Sequence, residues 1–150
     1  MNNKAHRINQ DKLTGEHWRV RNRSGELLYG NLTEKIIGLC FDVHRQYGSG
    51  QKESIYQNAL EEKLELNNIP FNKEVDISIK SEDSGKRLGN HRLDFVIEDK
   101  VVVETKAIKF TPVKLEQQLY SYLKNSDYKV GLMINFGSSR LYVRRIILTK

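Results

Sequence analysis

Over residues 1–26 large aliphatic side chains are few and no period is sustained. Nothing there predicts an element that could bury one of its faces. Residues 1–28 are therefore expected to form a polar N-terminal extension, and 29–150 a single domain. The pattern changes at Asn31. Asn31-Leu32-Thr33-Glu34 has the spacing of a capping box, with Asn as the cap and Glu three residues on. Ile36, Ile37, Cys40, Val43, His44 and Tyr47 then recur at helical intervals until Gly48-Ser49-Gly50, whose glycines allow a left-handed exit. A second helix is predicted from Glu53 to Leu66, with the stripe Tyr56, Leu60 and Leu64, ending before Pro70.

The period then drops to two. Val75, Ile77 and Ile79 alternate with polar residues, predicting a strand with one wetter face. After a turn at 81–86, strands are predicted at His91–Ile97 and Val101–Ala107, joined by Glu98-Asp99-Lys100 as a hairpin. Val101, Val102 and Val103 leave no polar face, as in a central buried strand. Thr111 and Pro112 read as cap and first residue of a helix running to about Lys124. Val130–Phe136 and a last run from Leu141 to Leu148 supply two more strands. The expected class is α/β, a mixed β-sheet flanked by helices in the order α-α-β-β-β-α-β-β.

Composition narrows the picture. With 150 residues, 38% hydrophobic and 29% charged, the chain is neither disordered nor membrane-spanning. The first thirty residues lack the apolar core of a signal peptide, and Cys40 is the sole cysteine. No internal disulfide or zinc ribbon can form, and a cytoplasmic setting is expected. Net charge is +6, with Arg140, Arg144, Arg145 and Lys150 clustered after residue 137 without an acid. That bias favours a polyanionic partner, with the arginines as phosphate contacts. Alternation puts Arg144 and Arg145 on opposite faces, so not all of them can serve.

The chemistry concentrates on the central hairpin. A three-residue loop pairs positions equidistant from Asp99, so Ile97 faces Val101 and Asp94 faces Glu104. Lys106, two residues beyond Glu104, projects to the same side. Facing carboxylates repel unless a positive group lies between them. A hard divalent cation such as Mg²⁺ answers that need through oxygen ligands. It polarises a phosphoryl oxygen and lowers the pKa of bound water, and a nearby lysine stabilises developing charge. The plain alternative is a surface hairpin carrying an incidental Glu–Lys pair.

Two motifs extend this set. Gly50-Gln51-Lys52-Glu53-Ser54-Ile55-Tyr56 reads G-x-x-E-x-x-Y, and Asp94 with Glu104-Thr105-Lys106 reads D…E-x-K. With Val43-His44-Arg45 before them and Gln118-x-x-x-Tyr122 after, the chain resembles the GxxExxY proteins of the PD-(D/E)XK nuclease superfamily over residues 29–148. The resemblance implies a restriction-endonuclease-like fold with the acids on a central hairpin. It also implies Asp94 and Glu104 as ligands of Mg²⁺ or Mn²⁺, Glu53 as an additional metal carboxylate and Lys106 as the active-site lysine. Gln118 and Tyr122 match a pair that contacts the nucleic acid or orients Lys106. The proline of the superfamily name is absent, since Leu93 precedes Asp94. By stripe alone Tyr56 and Tyr122 are core residues, and His44 reads as a satisfied core or site-edge histidine. His91 carries no signal.

The function so implied is a metal-dependent nuclease acting on nucleic acid, DNA before RNA. It has no membrane partner, and a homo-oligomer is open to it. Two other readings fit the same residues: a nucleic-acid-binding module with little cleavage, and a regulatory interaction domain.

Overall fold

The structure is a computed structural model and describes residues 27–148. Apart from Leu27 and Leu28, the predicted extension lies outside the described residues. Eight elements follow in the predicted order: α1 (Gly30–Tyr47), α2 (Glu53–Leu66), β1 (Phe71–Lys80), β2 (Arg87–Ile97), β3 (Val101–Lys106), α3 (Lys114–Lys124), β4 (Val130–Asn135) and β5 (Tyr142–Ile147). The strands form one sheet in the order β1-β2-β3-β4-β5. β3 and β4 are parallel, with α3 as their crossover, and the other neighbours are antiparallel.

The sheet is covered on both sides. α1 and α2 pack Ile36, Val43, Leu60 and Leu64 against Phe95, Ile97, Val101, Val103 and Leu132. α3 packs Leu115, Leu119 and Leu123 against Leu93, Val96, Val102 and Met133. β3 is therefore buried from Val101 through Thr105, as its unbroken valines predict, and emerges only at Lys106.

Two helix starts differ from expectation. The capping box at Asn31 is not used: α1 begins at Gly30 after Tyr29, which takes a left-handed φ of 54°, and no side chain caps it. The cause lies upstream. Leu27, Leu28 and Tyr29 pack on the core, and the Gly30 N–H bonds the Leu27 carbonyl at 2.9 Å. An apolar entry segment thus turns the chain before Asn31 can act. Thr33 Oγ1 donates back to the Gly30 carbonyl at 3.1 Å instead. Likewise α3 starts at Lys114 rather than at Pro112. Thr111 is not its cap, because its hydroxyl accepts a bond from the Asn135 amide at 2.7 Å.

One irregularity shapes the sheet. In an ideal strand alternate residues share a face. Lys73 pairs with Phe95 on the side of α2, where its amine meets Glu61 at 2.6 Å. Val75 pairs with Leu93 on the opposite side, under α3. The phase of both strands reverses between these pairs, at Glu74 and Asp94. Glu74 has a left-handed φ of 56°, a conformation that re-aims a strand.

Candidate active site

The β2–β3 hairpin keeps the expected register: Ile97 pairs with Val101, Val96 with Val102 and Phe95 with Val103. Its loop is turned by left-handed Glu98 and Asp99, and the Lys100 N–H bonds the Ile97 carbonyl at 3.0 Å. Regular pairing stops at Phe95–Val103. At the next position the side chains take over the rungs. The Asp94 N–H donates to Glu104 Oε1 at 3.0 Å, and the Thr105 N–H donates to Asp94 Oδ2 at 2.8 Å. The Thr105 hydroxyl donates to the same Oδ2 at 3.0 Å. Each carboxylate thus holds a backbone amide of the opposite strand at the mouth of the hairpin.

Glu104 is only 3% exposed. Burial, with the charge of Asp94 beside it, pushes its carboxyl up to about 8. The Asp94 amide and Lys106 pull the other way without cancelling the rise. Its second oxygen faces His91 Nε2 at 3.4 Å. His91 lies flat on Tyr122 of α3, ring centroids 3.7 Å apart and planes within 11°. Burial lowers the His91 pKa. Tyr122 is raised, first by burial and then by the charges of Glu104 and Asp94.

Glu53 approaches from the other side of the sheet, at the first position of α2. Its carboxyl is raised by burial, partly offset by the charge of Lys106 and reinforced by that of Asp94. Gln57, one turn on, donates to Glu53 Oε1 at 3.1 Å and to the Thr105 hydroxyl at 2.8 Å, tying α2 to β3. The loop before α2 has its own lock. Gly50 takes φ 98°, which favours glycine. The Tyr56 hydroxyl donates to the Gly48 carbonyl and accepts the Gln51 N–H at 3.1 Å. Its ring stacks on Phe136 at 4.7 Å. The G-x-x-E-x-x-Y spacing is thus a device that closes a turn and fixes where Glu53 begins its helix. Tyr56 is the core tyrosine its stripe implies.

The remaining sequence-predicted positions divide. Lys106 ends β3 half-buried, paired with Asn135. Tyr122 lies beside His91 as described, while Gln118, one turn earlier, is exposed and makes no side-chain hydrogen bond among the described residues. His44 bonds the Ser138 carbonyl at 3.0 Å, a structural role. The three arginines do not share one exposed surface. Arg145 is 1% exposed and its guanidinium donates to the Leu28 carbonyl. Arg144 is paired with Glu116 at 2.9 Å. Of the three, only Arg140 is exposed.

His91 and Gln57 join the site without belonging to either sequence motif. Gln57 had a signal, four residues from Glu53 and so on the same helix face. His91 had none: alternation sets it apart from Asp94, and the phase reversal that alters this is a tertiary feature.

The donors at the hairpin mouth are carboxylate oxygens, the chemistry of a hard cation. Among the described residues no three His, Cys, Asp or Glu side chains are grouped to hold a metal ion. A cation there would take at most the two hairpin carboxylates as protein ligands and would need water and phosphate oxygens for the rest, as Mg²⁺ commonly does.

Comparison with known proteins agrees with this architecture. The family model of the PD-(D/E)XK nuclease superfamily matches residues 30–146. The fold is similar to that in the crystal structure of SSO0001, at a TM-score of 0.51 and 21% identity, over 81% of this chain and 60% of that one. The chain therefore spans less than two thirds of that protein's length. No curated protein sequence matches it. The element order and mixed sheet are those of a restriction-endonuclease-like fold.

Proposed function

Because the chain belongs to the PD-(D/E)XK nuclease superfamily, we propose that it is a Mg²⁺- or Mn²⁺-dependent nuclease of the GxxExxY type that hydrolyses phosphodiester bonds, with DNA the preferred substrate. The observation that carries this reading is the pair Asp94 and Glu104 at the hairpin mouth. A buried carboxyl at about 8 beside a second carboxylate is a group that a cation would relieve.

Asp94 and Glu104 would hold the cation, with Glu53 in reach of the same field. Bound there, it supplies Lewis-acid polarisation of the phosphoryl group and a lowered pKa for water. Lys106 contributes a fixed positive charge for the negative charge that develops on the phosphate. Thr105 and the Asp94 amide orient the two carboxylates before any ligand arrives. His91 and Tyr122 wall the α3 side of Glu104 and limit its access to water.

The test is cleavage of a panel of DNA and RNA substrates in Mg²⁺ and Mn²⁺ with and without EDTA. Asp94→Asn serves as control, because it keeps an oxygen acceptor for Thr105. Metal-dependent cutting that Asp94→Asn abolishes is the expected result. Salt-dependent binding without cutting would favour the binding-module reading.

A further inference from the structure

Between β3 and α3, residues 107–113 form a loop whose base is clamped and whose tip is apolar and exposed. Asn135 is fully buried and makes the clamp. Its Oδ1 accepts the Ile108 N–H at 3.1 Å, and its Nδ2 donates to the Ile108 carbonyl at 2.9 Å. The same Nδ2 donates to Thr111 at 2.7 Å, and Oδ1 also accepts the Gly137 N–H at 2.9 Å. Gly137 lies so close that a Cβ there would stand 2.4 Å from the Ile108 nitrogen. Above this fixed base Phe110 is 78% exposed and Val113 69% exposed, and Lys109 Nζ stands 5.7 Å from the Phe110 ring centroid.

Single exposed hydrophobic residues need no explanation. Here two stand within four positions on a held loop. From Lys106 to Lys114 the chain has three lysines and no acid. An aromatic face among cations is the combination that takes unpaired bases by stacking and phosphates by charge. The same charge argues against a second copy of this chain as occupant, since two such loops would repel. Phe110 is four residues from Lys106, so its Cα lies within about 14 Å of that lysine's Cα. That is a few nucleotides along one strand.

We propose that Phe110 is a base-stacking contact for a single-stranded segment of nucleic acid, with Lys109 and Lys114 on adjacent phosphates. The proposal rests on the nuclease reading and names the strand form that it acts on.

The experiment is fluorescence anisotropy with the full chain in EDTA, so that binding is read without cleavage. The probes are a fluorescein-labelled oligothymidylate and a duplex of the same length. Phe110→Ala should weaken single-strand binding about 5- to 150-fold and duplex binding about 2-fold or less, with Phe110→Trp restoring it. Replacing Lys109 and Lys114 together by alanine should lower the single-strand salt slope by about 1.4, two phosphate contacts' worth. If the wild-type chain binds oligothymidylate and Phe110→Ala binds it equally well, the stacking proposal is overturned and the nuclease reading stands. If Phe110→Ala instead converts a dimer into a monomer at unchanged affinity, the loop joins two copies and the proposal is equally overturned. If the wild type binds neither probe, the stacking proposal is overturned, and cleavage in Mg²⁺ or Mn²⁺ decides the nuclease reading separately.

Discussion

A free glutamic acid is ionised at neutral pH, but Glu104, raised to about 8, keeps its proton there while the site is metal-free. The unfolded chain, with an ordinary value of 4.5, has lost that proton. Between these two values the folded state binds more protons than the unfolded, so its stability falls as pH rises through the window. In EDTA the melting temperature should therefore drop from about pH 5 to about pH 8, and Glu104→Gln should flatten that slope. His91, lowered by burial, drives the opposite trend towards its ordinary 6.5. The difference between wild type and Glu104→Gln at each pH isolates the carboxyl, and equal slopes would show that Glu104 is not raised. Lys106 allows a second prediction. It is cationic and no ligand, so Lys106→Ala should keep the fold and at least wild-type Mn²⁺ affinity by calorimetry. Cleavage should fall about 10²–10³-fold.

At the scale of elements, the loop before α2 shows how a motif and a structural lock coincide. Tyr56→Phe keeps the stack on Phe136 but leaves the Gly48 carbonyl and the Gln51 amide without their partner. The expected cost is about 1–2 kcal/mol in chemical denaturation, with cleavage reduced as well because Glu53 loses its fixed start. A variant as stable as wild type would show that the hydroxyl does not hold the loop. Most elements were legible in the chain because their periods were clean: the valines of β3, the leucine stripe of α3, the alternation of Val75, Ile77 and Ile79. The hairpin register was legible too, because loop length alone sets it. What escaped is non-local. Asn31 and Thr111 carry cap chemistry, but tertiary partners moved both helix starts. Arg145 looks like a surface cation, and only the packing of β5 under Leu28 buries it. His91 meets Glu104 through a reversal of strand phase that no spacing encodes.

For the molecule as a whole, Leu27 and Leu28, expected to belong to the extension, pack on the core instead, and Leu28 supplies a carbonyl for buried Arg145. Deleting residues 1–26 should leave a chain that melts cooperatively near the full-length temperature. Deleting through Leu28 should lower stability by about 3 kcal/mol or more, because a buried guanidinium loses a partner. Paired thermal melts check this, and equal melting temperatures for the two truncations would place the boundary elsewhere. The hairpin mouth has a broader consequence. Asp94 and Glu104 finish the ladder between β2 and β3, and on the nuclease reading they also hold the cation. If the chain cuts as proposed, folding and cleavage constrain the same two positions. A descendant that had stopped cutting would shed them slowly, so over evolutionary time the acids would outlast the activity. Lys106, which fastens no rung through its side chain, would be the first to drift.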